Sequence, residues 1–102
     1  MSYIPKGANV FVIDLHYVVP IDEVEPHIPG HMQFLEDNYA NGRFLASGAK
    51  VPRTGGVILA VGRERSEVEE LIKADPFHEF GIASYTITEF APRMAAEGLK
   101  AD

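Results

Sequence analysis

The chain has 102 residues, a formal net charge of −6 and no cysteine. At this length we expect one domain over residues 1–102, with its core at about 8–91. The acidic balance argues against nucleic acid as a partner, and the absence of cysteine excludes disulfides, thiolate metal sites and a cysteine nucleophile. No apolar run is long enough to cross a bilayer, and the first seven residues lack the pattern of a signal peptide, so we expect a cytoplasmic protein.

The first predicted element is a strand over residues 9–18. The apolar side chains that predict its core face are Phe11, Ile13, Leu15 and Tyr17. The opposite face carries valines together with Asp14 and His16, and this face is too apolar to be fully open to water. We therefore expect both faces to be covered, one by helices and the other by a partner subunit or a ligand cavity.

A helix is predicted to follow, beginning near Pro29, because proline suits the first turn of a helix. Asn41 and Gly42 are typical of a helix C-terminus. One stripe of this helix is apolar, and His31 lies at its edge, one turn after His27.

Three further strands are predicted, over residues 43–47, 57–61 and 84–90. The second of these is wholly apolar and is expected to lie inside the sheet. The last alternates in the manner of a half-buried strand. The chain after residue 92 has weak patterns, and we expect a tail or an arm that contacts a second subunit.

A second helix is predicted before the last strand. Ser66 can cap its N-terminus, with Glu69 completing a capping box. The helical series of apolar positions that starts at Val68 reaches Asp75, so a carboxylate stands where a core residue is expected. Pro76 disfavours helical backbone at Asp75 and should end the helix there. A buried carboxylate needs partners; the alternative is an Asp that faces water or accepts from a turn amide.

The predicted order βαββαβ is that of the ferredoxin-like fold. This α+β architecture has a four-stranded antiparallel sheet with two helices on one face, and right-handed crossovers limit the alternatives. The open face of the sheet is a natural place for dimerisation, so we expect a homodimer.

His31 and Asp75 are the principal candidates for catalysis. Each lies at or beside the buried stripe of its helix, and both helices are expected to cover the same face of the sheet. An Asp that accepts from one imidazole nitrogen fixes the tautomer and leaves the other nitrogen as a base or acid. The alternative is a structural hydrogen bond that joins two helices.

A metal site has weaker support. His27 and His31 have the i, i+4 spacing that can chelate a cation, but Pro29 interrupts the turn between them. Because no third ligand is singled out, we predict no metal site.

The polar connection at 50–56 offers a second kind of site. Lys50 and Arg53, together with paired glycines, are suited to hold an anion, although a solvated hairpin is the alternative. Ser47 has no nucleophile elbow around it, so we expect it to form a hydrogen bond to the structure or to a ligand.

Several short segments resemble the YCII-related (YciI-like) family. The segments are HMQFL at 31–35, GRFLASG at 42–48, GGVILA at 55–60, DPF at 75–77 and GIA at 81–83. Their order and spacing together are specific, and the resemblance extends from the first strand to Phe90. It implies the ferredoxin-like fold in its dimeric α+β barrel form.

The resemblance also implies that the active-site histidine and aspartate of the family correspond to His31 and Asp75. Ser47 and Gly48 would border the same pocket. Many members carry an arginine three residues before the histidine, where this chain has isoleucine. We take Arg53 as the candidate replacement.

One branch of the family is associated with dehydrochlorination of a chlorinated hydroxyhydroquinone in aromatic degradation, and the fold is similar to that of muconolactone isomerases. The resemblance thus implies a lyase or isomerase that transfers protons on a small aromatic substrate, without a cofactor. His31 would be the general base or acid, oriented by Asp75. The residues expected to contact the substrate are Ser47, Gly48, Arg53, Phe34 and Phe77. The alternative is a non-catalytic dimeric module that binds a small ligand or a protein partner.

Overall fold

A computed structural model describes residues 3–101, so residues 1, 2 and 102 of the predicted domain lie outside the described part. The strands are β1 (Asn9–Tyr17), β2 (Phe44–Ala49), β3 (Gly55–Gly62) and β4 (Ala83–Phe90). The helices are α1 (Ile21–Val24), α2 (Ile28–Ala40), α3 (Arg65–Leu71) and α4 (Pro76–Glu79). Short 3₁₀ turns at Glu25–His27 and Ile72–Ala74 connect α1 to α2 and α3 to α4.

The four strands form one antiparallel sheet in the order β2-β3-β1-β4. β1 lies inside the sheet, where Ile13 pairs with Ile58 of β3 and with Ile87 of β4. β3 is also an inner strand, as its apolar sequence predicts. This sheet, with helices packed on it, confirms the predicted ferredoxin-like α+β fold.

The core lies between the sheet and the helices. The predicted core face of β1 is confirmed, because Phe11, Ile13 and Leu15 are at most 1% exposed. Val24 from α1 and Val68 from α3 pack into the same cluster. The helices are therefore fixed on one face of the sheet by burial of apolar surface.

The connected ends of β2 and β3 extend further than the predicted 43–47 and 57–61. Gly48 pairs with Val57, so glycines that indicate a turn in the sequence belong to the hairpin. Glycine has little intrinsic preference for strands, and here cross-strand pairing outweighs that preference. A Cβ on Gly55 would lie 1.8 Å from a backbone carbonyl oxygen of β1, so only glycine fits at this position.

The start of α3 differs from the prediction. Its N-cap is Glu64, whose backbone N–H donates to Glu67 Oε1 at 3.1 Å. The predicted capping box at Ser66 and Glu69 is therefore wrong, and Ser66 lies inside the helix. Both pairs have the same spacing, and the general preference for serine over glutamate at the N-cap favoured the wrong one.

The two ends of the described chain lie against each other. Ile4 is 2% exposed; its N–H donates to Leu99 O at 2.8 Å, and its carbonyl accepts from Ala101 N–H at 2.9 Å. With Val10 and Val61, Ile4 forms a second cluster on the sheet face away from the helices. The predicted tail thus returns to the domain. Within residues 3–101, no helix has the length and apolar character needed to cross a bilayer.

Candidate functional site

Asp75 is fully buried where the second helical segment ends. Its backbone is extended (φ −75°, ψ 124°), as expected for a residue that precedes a proline. The side chain caps α4, and its Oδ1 accepts from Phe77 N–H at 3.0 Å. The turn-amide bond considered for Asp75 is therefore present, and the carboxylate retains lone pairs for further donors.

His31, in the first turn of α2, supplies a second donor. Its Nδ1 lies 2.8 Å from Asp75 Oδ1. Because an ionised carboxylate only accepts, Nδ1 carries the proton of the neutral ring and Nε2 carries the lone pair. The structure thus brings the two predicted residues together as a hydrogen-bonded pair.

The second nitrogen of His31 is accessible. Nε2 has no hydrogen-bond partner among residues 3–101, and no fully buried side-chain nitrogen or oxygen in that range lacks a partner. The His31 side chain is 15% exposed, whereas that of Asp75 is 0% exposed. Nε2 is therefore open to a small molecule, while Asp75 is not.

Tyr85 of β4 is a third participant that the sequence did not single out. Its hydroxyl donates to Asp75 Oδ2 at 2.5 Å. Burial raises the pKa of Tyr85 well above its ordinary value, and the charge of Asp75 raises it further. The hydroxyl therefore stays protonated. The sequence could have indicated Tyr85, because a tyrosine on the buried face of a predicted strand needs a hydrogen-bond partner for its hydroxyl.

A cavity of about 250 Å³ opens beside His31. Its apolar lining residues are Leu15, Tyr17, Ile28, Met32, Leu35, Ala49, Val57, Ile58 and Phe77. Glycines of the β2–β3 hairpin form part of the wall, and because they have no side chain a ligand can approach the backbone closely there. Since an apolar cavity of about 150 Å³ is enough for benzene, this one has room for a single substituted ring.

Ser47 and Gly48 lie in the wall of the cavity contributed by β2. The Ser47 hydroxyl is 2.6 Å from the hydroxyl of Tyr39 on α2. A hydroxyl has one donor and two acceptor sites, so Ser47 keeps hydrogen-bonding capacity for a ligand.

Arg53 also lines the cavity and is the one permanently charged residue among its described lining residues. The predicted pairing of Arg53 with Lys50 in one anion site is not observed, because Lys50 Nζ is held 2.6 Å from Asp14 Oδ1. Arg53 is exposed, so its guanidinium is free to meet a polar group of a ligand.

Aromatic rings fix the plane of the His31 imidazole. Phe77 stacks on it, with ring centroids 4.0 Å apart and planes inclined by 2°. Tyr17 meets Phe77 edge-on at 5.9 Å and supports the stack from β1. Phe34 is buried 6.3 Å from the imidazole and packs edge-on against Phe44. Phe77 lines the cavity, whereas Phe34, the other predicted wall, lies in the core beyond the described lining.

His27 stacks on Phe80, with ring centroids 4.8 Å apart. Within residues 3–101 no group of three or more His, Cys, Asp or Glu side chains is placed to hold a metal ion.

Gly30 allows the close approach that joins His31 to Asp75. A Cβ on Gly30 would lie 2.9 Å from Pro76 Cγ, a distance that real Cβ atoms do not tolerate. Because Gly30 and Pro76 directly precede His31 and Phe77, this contact sets the separation of α2 and α4 at the site.

We expect Gly30→Ala to lower both stability and turnover. Overpacking costs about 1–3 kcal/mol, which exceeds the gain of about 1 kcal/mol in helix propensity. Displacement of His31 by about 1 Å would reduce kcat by roughly 10²-fold. Gly62→Ala is the control, since its added Cβ would make only ordinary contacts, the nearest at 3.5 Å. Equal melting temperatures and rates for Gly30→Ala and Gly62→Ala would contradict this account.

Comparisons with known proteins agree with this fold. A family model described as the YCII-related domain matches residues 9–91. No curated protein matches the chain. A solved structure of 5-chloro-2-hydroxyhydroquinone dehydrochlorinase from Burkholderia phenoliruptrix AC1100, in complex with 2,5-dihydroxybenzoquinone, is similar with a TM-score of 0.70 and 17% sequence identity. The match covers 80% of this chain and 93% of that chain, and at this identity it shows a shared fold.

Proposed function

Because the chain belongs to the YCII-related domain family, we propose that it is a small enzyme that moves protons on a substituted ring. His31 is the general base and acid, and Asp75 is its orienting partner. The observation that carries this proposal is the asymmetry of the imidazole: Nδ1 is held by a buried carboxylate at 2.8 Å, while Nε2 is accessible beside a cavity of about 250 Å³. A base with a fixed tautomer and an open lone pair is what proton transfer requires.

The substrate class we propose is a hydroxylated, chlorinated aromatic ring. The apolar lining and the volume suit one ring, and the fold is shared with a dehydrochlorinase whose structure holds a dihydroxybenzoquinone. Ser47 and Arg53 would contact the ring oxygens, with Phe77 as an apolar wall and Gly48 leaving space beside them. Phe34 would act indirectly, by supporting the ring of His31.

Loss of HCl from a chlorinated hydroxyhydroquinone balances without an oxidant or reductant. Nε2 of His31 accepts a hydroxyl proton from the substrate and delivers it to the ring carbon that bears chlorine. A second hydroxyl then loses its proton as chloride leaves that carbon, and a hydroxyquinone results. Two hydroxyl protons are lost, one is placed on carbon and one is released with chloride, so proton transfer alone is sufficient and no cofactor is proposed.

The test is turnover of 5-chloro-2-hydroxyhydroquinone by the purified protein, with free chloride and quinone absorbance followed together. Equal amounts of chloride and quinone, released in proportion to enzyme, are expected. Absence of chloride above the uncatalysed rate would eliminate this substrate. Tight binding of 2,5-dihydroxybenzoquinone without any turnover would instead favour the alternative function, a non-catalytic module that binds a small ligand in the same cavity.

We further propose that the protein is a homodimer joined through the sheet face away from the helices. That face carries Val12 and Leu59, which pair with each other and are only partly buried in the single chain. A second subunit would bury this apolar surface. A small domain buries a small fraction of its surface when it folds alone, so burial in a dimer interface adds to its stability.

Sedimentation equilibrium is expected to give twice the mass of the chain. Leu59→Glu should shift the mass to that of a monomer, because a two-fold axis brings two buried carboxylates into one interface. Ser66→Glu, at an exposed position of α3 on the opposite side of the sheet, is the control for added charge. A monomeric wild type at micromolar concentration would contradict the proposal.

A further inference from the structure

Asp75 is held by more than its partner histidine. Oδ1 accepts from His31 Nδ1 at 2.8 Å and from Phe77 N–H at 3.0 Å. Among the described residues, Oδ2 has a single partner, the hydroxyl of Tyr85 at 2.5 Å. The three donors come from α2, α4 and β4, so the carboxylate connects both helical segments to the sheet.

From this arrangement we infer that Tyr85 is a positioning residue. Its hydroxyl donates to Oδ2 and fixes the rotation of the carboxylate, so that Oδ1 stays directed at His31 Nδ1. The expected effect on kcat rests on the proposed function, whereas the expected effect on the His31 tautomer does not. Tyr85 is absent from the described lining of the cavity, so it does not touch the substrate and acts through Asp75.

Two consequences follow if the hydroxyl is removed. A carboxylate held at one oxygen has more freedom to rotate, which would loosen the bond to Nδ1 because bond strength falls with misalignment. A loosened bond no longer fixes the tautomer of the neutral imidazole, so in part of the molecules the proton moves from Nδ1 to Nε2. The accessible nitrogen would lose its lone pair and could no longer act as the base.

The phenol is suited to this role because it does not exchange its own proton. Burial and the neighbouring carboxylate raise the pKa of Tyr85 far above the working range of most proteins. Its hydroxyl therefore remains a donor at neutral pH. A serine or threonine at this position would be too short to span the distance from β4, and a histidine would add a second titrating group.

The experiment compares Tyr85→Phe with wild type by nitrogen NMR of ¹⁵N-labelled histidine, with the His31 signals assigned by their loss in His31→Ala. In wild type we expect Nδ1 protonated and Nε2 unprotonated. In Tyr85→Phe we expect a mixture of the two tautomers. For the dehydrochlorination, kcat should fall by about 10- to 100-fold, the range for a lost hydrogen bond to a charged group. The dissociation constant for 2,5-dihydroxybenzoquinone should change by less than about twofold, because Tyr85 does not line the cavity.

Tyr3→Phe is the matched control, since it removes the same hydroxyl from a residue that is 65% exposed. The phenylalanine at position 85 keeps the ring, so the packing of β4 against the helices is preserved. An unchanged His31 tautomer in Tyr85→Phe would overturn the inference, even if the melting temperature fell, because Tyr85 would then be only structural.

The two proposals fail in different ways. If wild type shows no turnover but Tyr85→Phe alters the His31 tautomer, the reaction is wrong and the positioning role stands. If turnover is present and Tyr85→Phe leaves both the tautomer and kcat unchanged, the reaction stands and the positioning role is overturned.

Discussion

Replacement of His31 by alanine is expected to lower kcat for chloride release by about 10²–10⁴-fold, the contribution of a positioned acid–base group. The substitution removes the accessible Nε2 and the ring stacked 4.0 Å from Phe77. Apolar walls and Ser47 remain, so the dissociation constant for 2,5-dihydroxybenzoquinone should change much less than kcat. Initial rates at saturating substrate, together with ligand titration, separate the two effects.

Two further variants test whether the loss of activity comes from the missing base at Nε2 of His31. His31→Asn places an amide donor near the former Nδ1, so Asp75 keeps a partner while the base at Nε2 is lost. It should be as inactive as the alanine variant but closer to wild type in melting temperature. His27→Ala removes an imidazole that stacks on Phe80 outside the described lining of the cavity, and it should retain turnover. Full turnover by both His31 variants would assign the proton transfer to another group.

The arrangement of elements was predictable because it follows from local patterns. Alternation in β1 determined which side chains face the core, and Pro76 forced Asp75 into the extended backbone that ends the helical segment. Gly55 and Gly56 were misassigned to a connection, because their strand conformation depends on pairing partners that local propensity does not reveal.

The site was predictable only in part, because local patterns do not reveal contacts between residues that are distant in the sequence. Helical periodicity placed His31 and Asp75 on faces that cover the same sheet, and the structure brings them within 2.8 Å. Tyr85 alternates like any buried strand residue, so its bond to Asp75 could be anticipated only by counting the donors that a buried carboxylate needs. Phe34 was predicted to contact the substrate because it lies near the candidate base, but its side chain packs into the core.

Asp75→Ala is expected to lower the free energy of unfolding by about 2–6 kcal/mol, because two buried donors lose their acceptor at about 1–3 kcal/mol each. Asp75 is 0% exposed and accepts three hydrogen bonds. Its removal leaves the Tyr85 hydroxyl and the Phe77 N–H without an acceptor and opens a cavity. Because domains of this size are stable by about 5–15 kcal/mol, urea unfolding should show a large shift in midpoint.

Asp75→Asn separates the structural role of this residue from its role in orienting His31. The amide has nearly the same shape, its oxygen can still accept, and the Tyr85 hydroxyl can rotate, so we expect a smaller loss of about 1–3 kcal/mol. However, the amide oxygen that faces Nδ1 is uncharged, so it holds the Nδ1 proton less firmly and does not stabilise the imidazolium that forms when Nε2 accepts a proton. The corresponding change of aspartate to asparagine lowers kcat by up to about 10⁴-fold in a comparable Asp–His pair. A stable, folded and inactive Asp75→Asn protein would therefore support the orienting role, whereas a destabilised protein with wild-type kcat would reduce the His31–Asp75 bond to a tie between two helices.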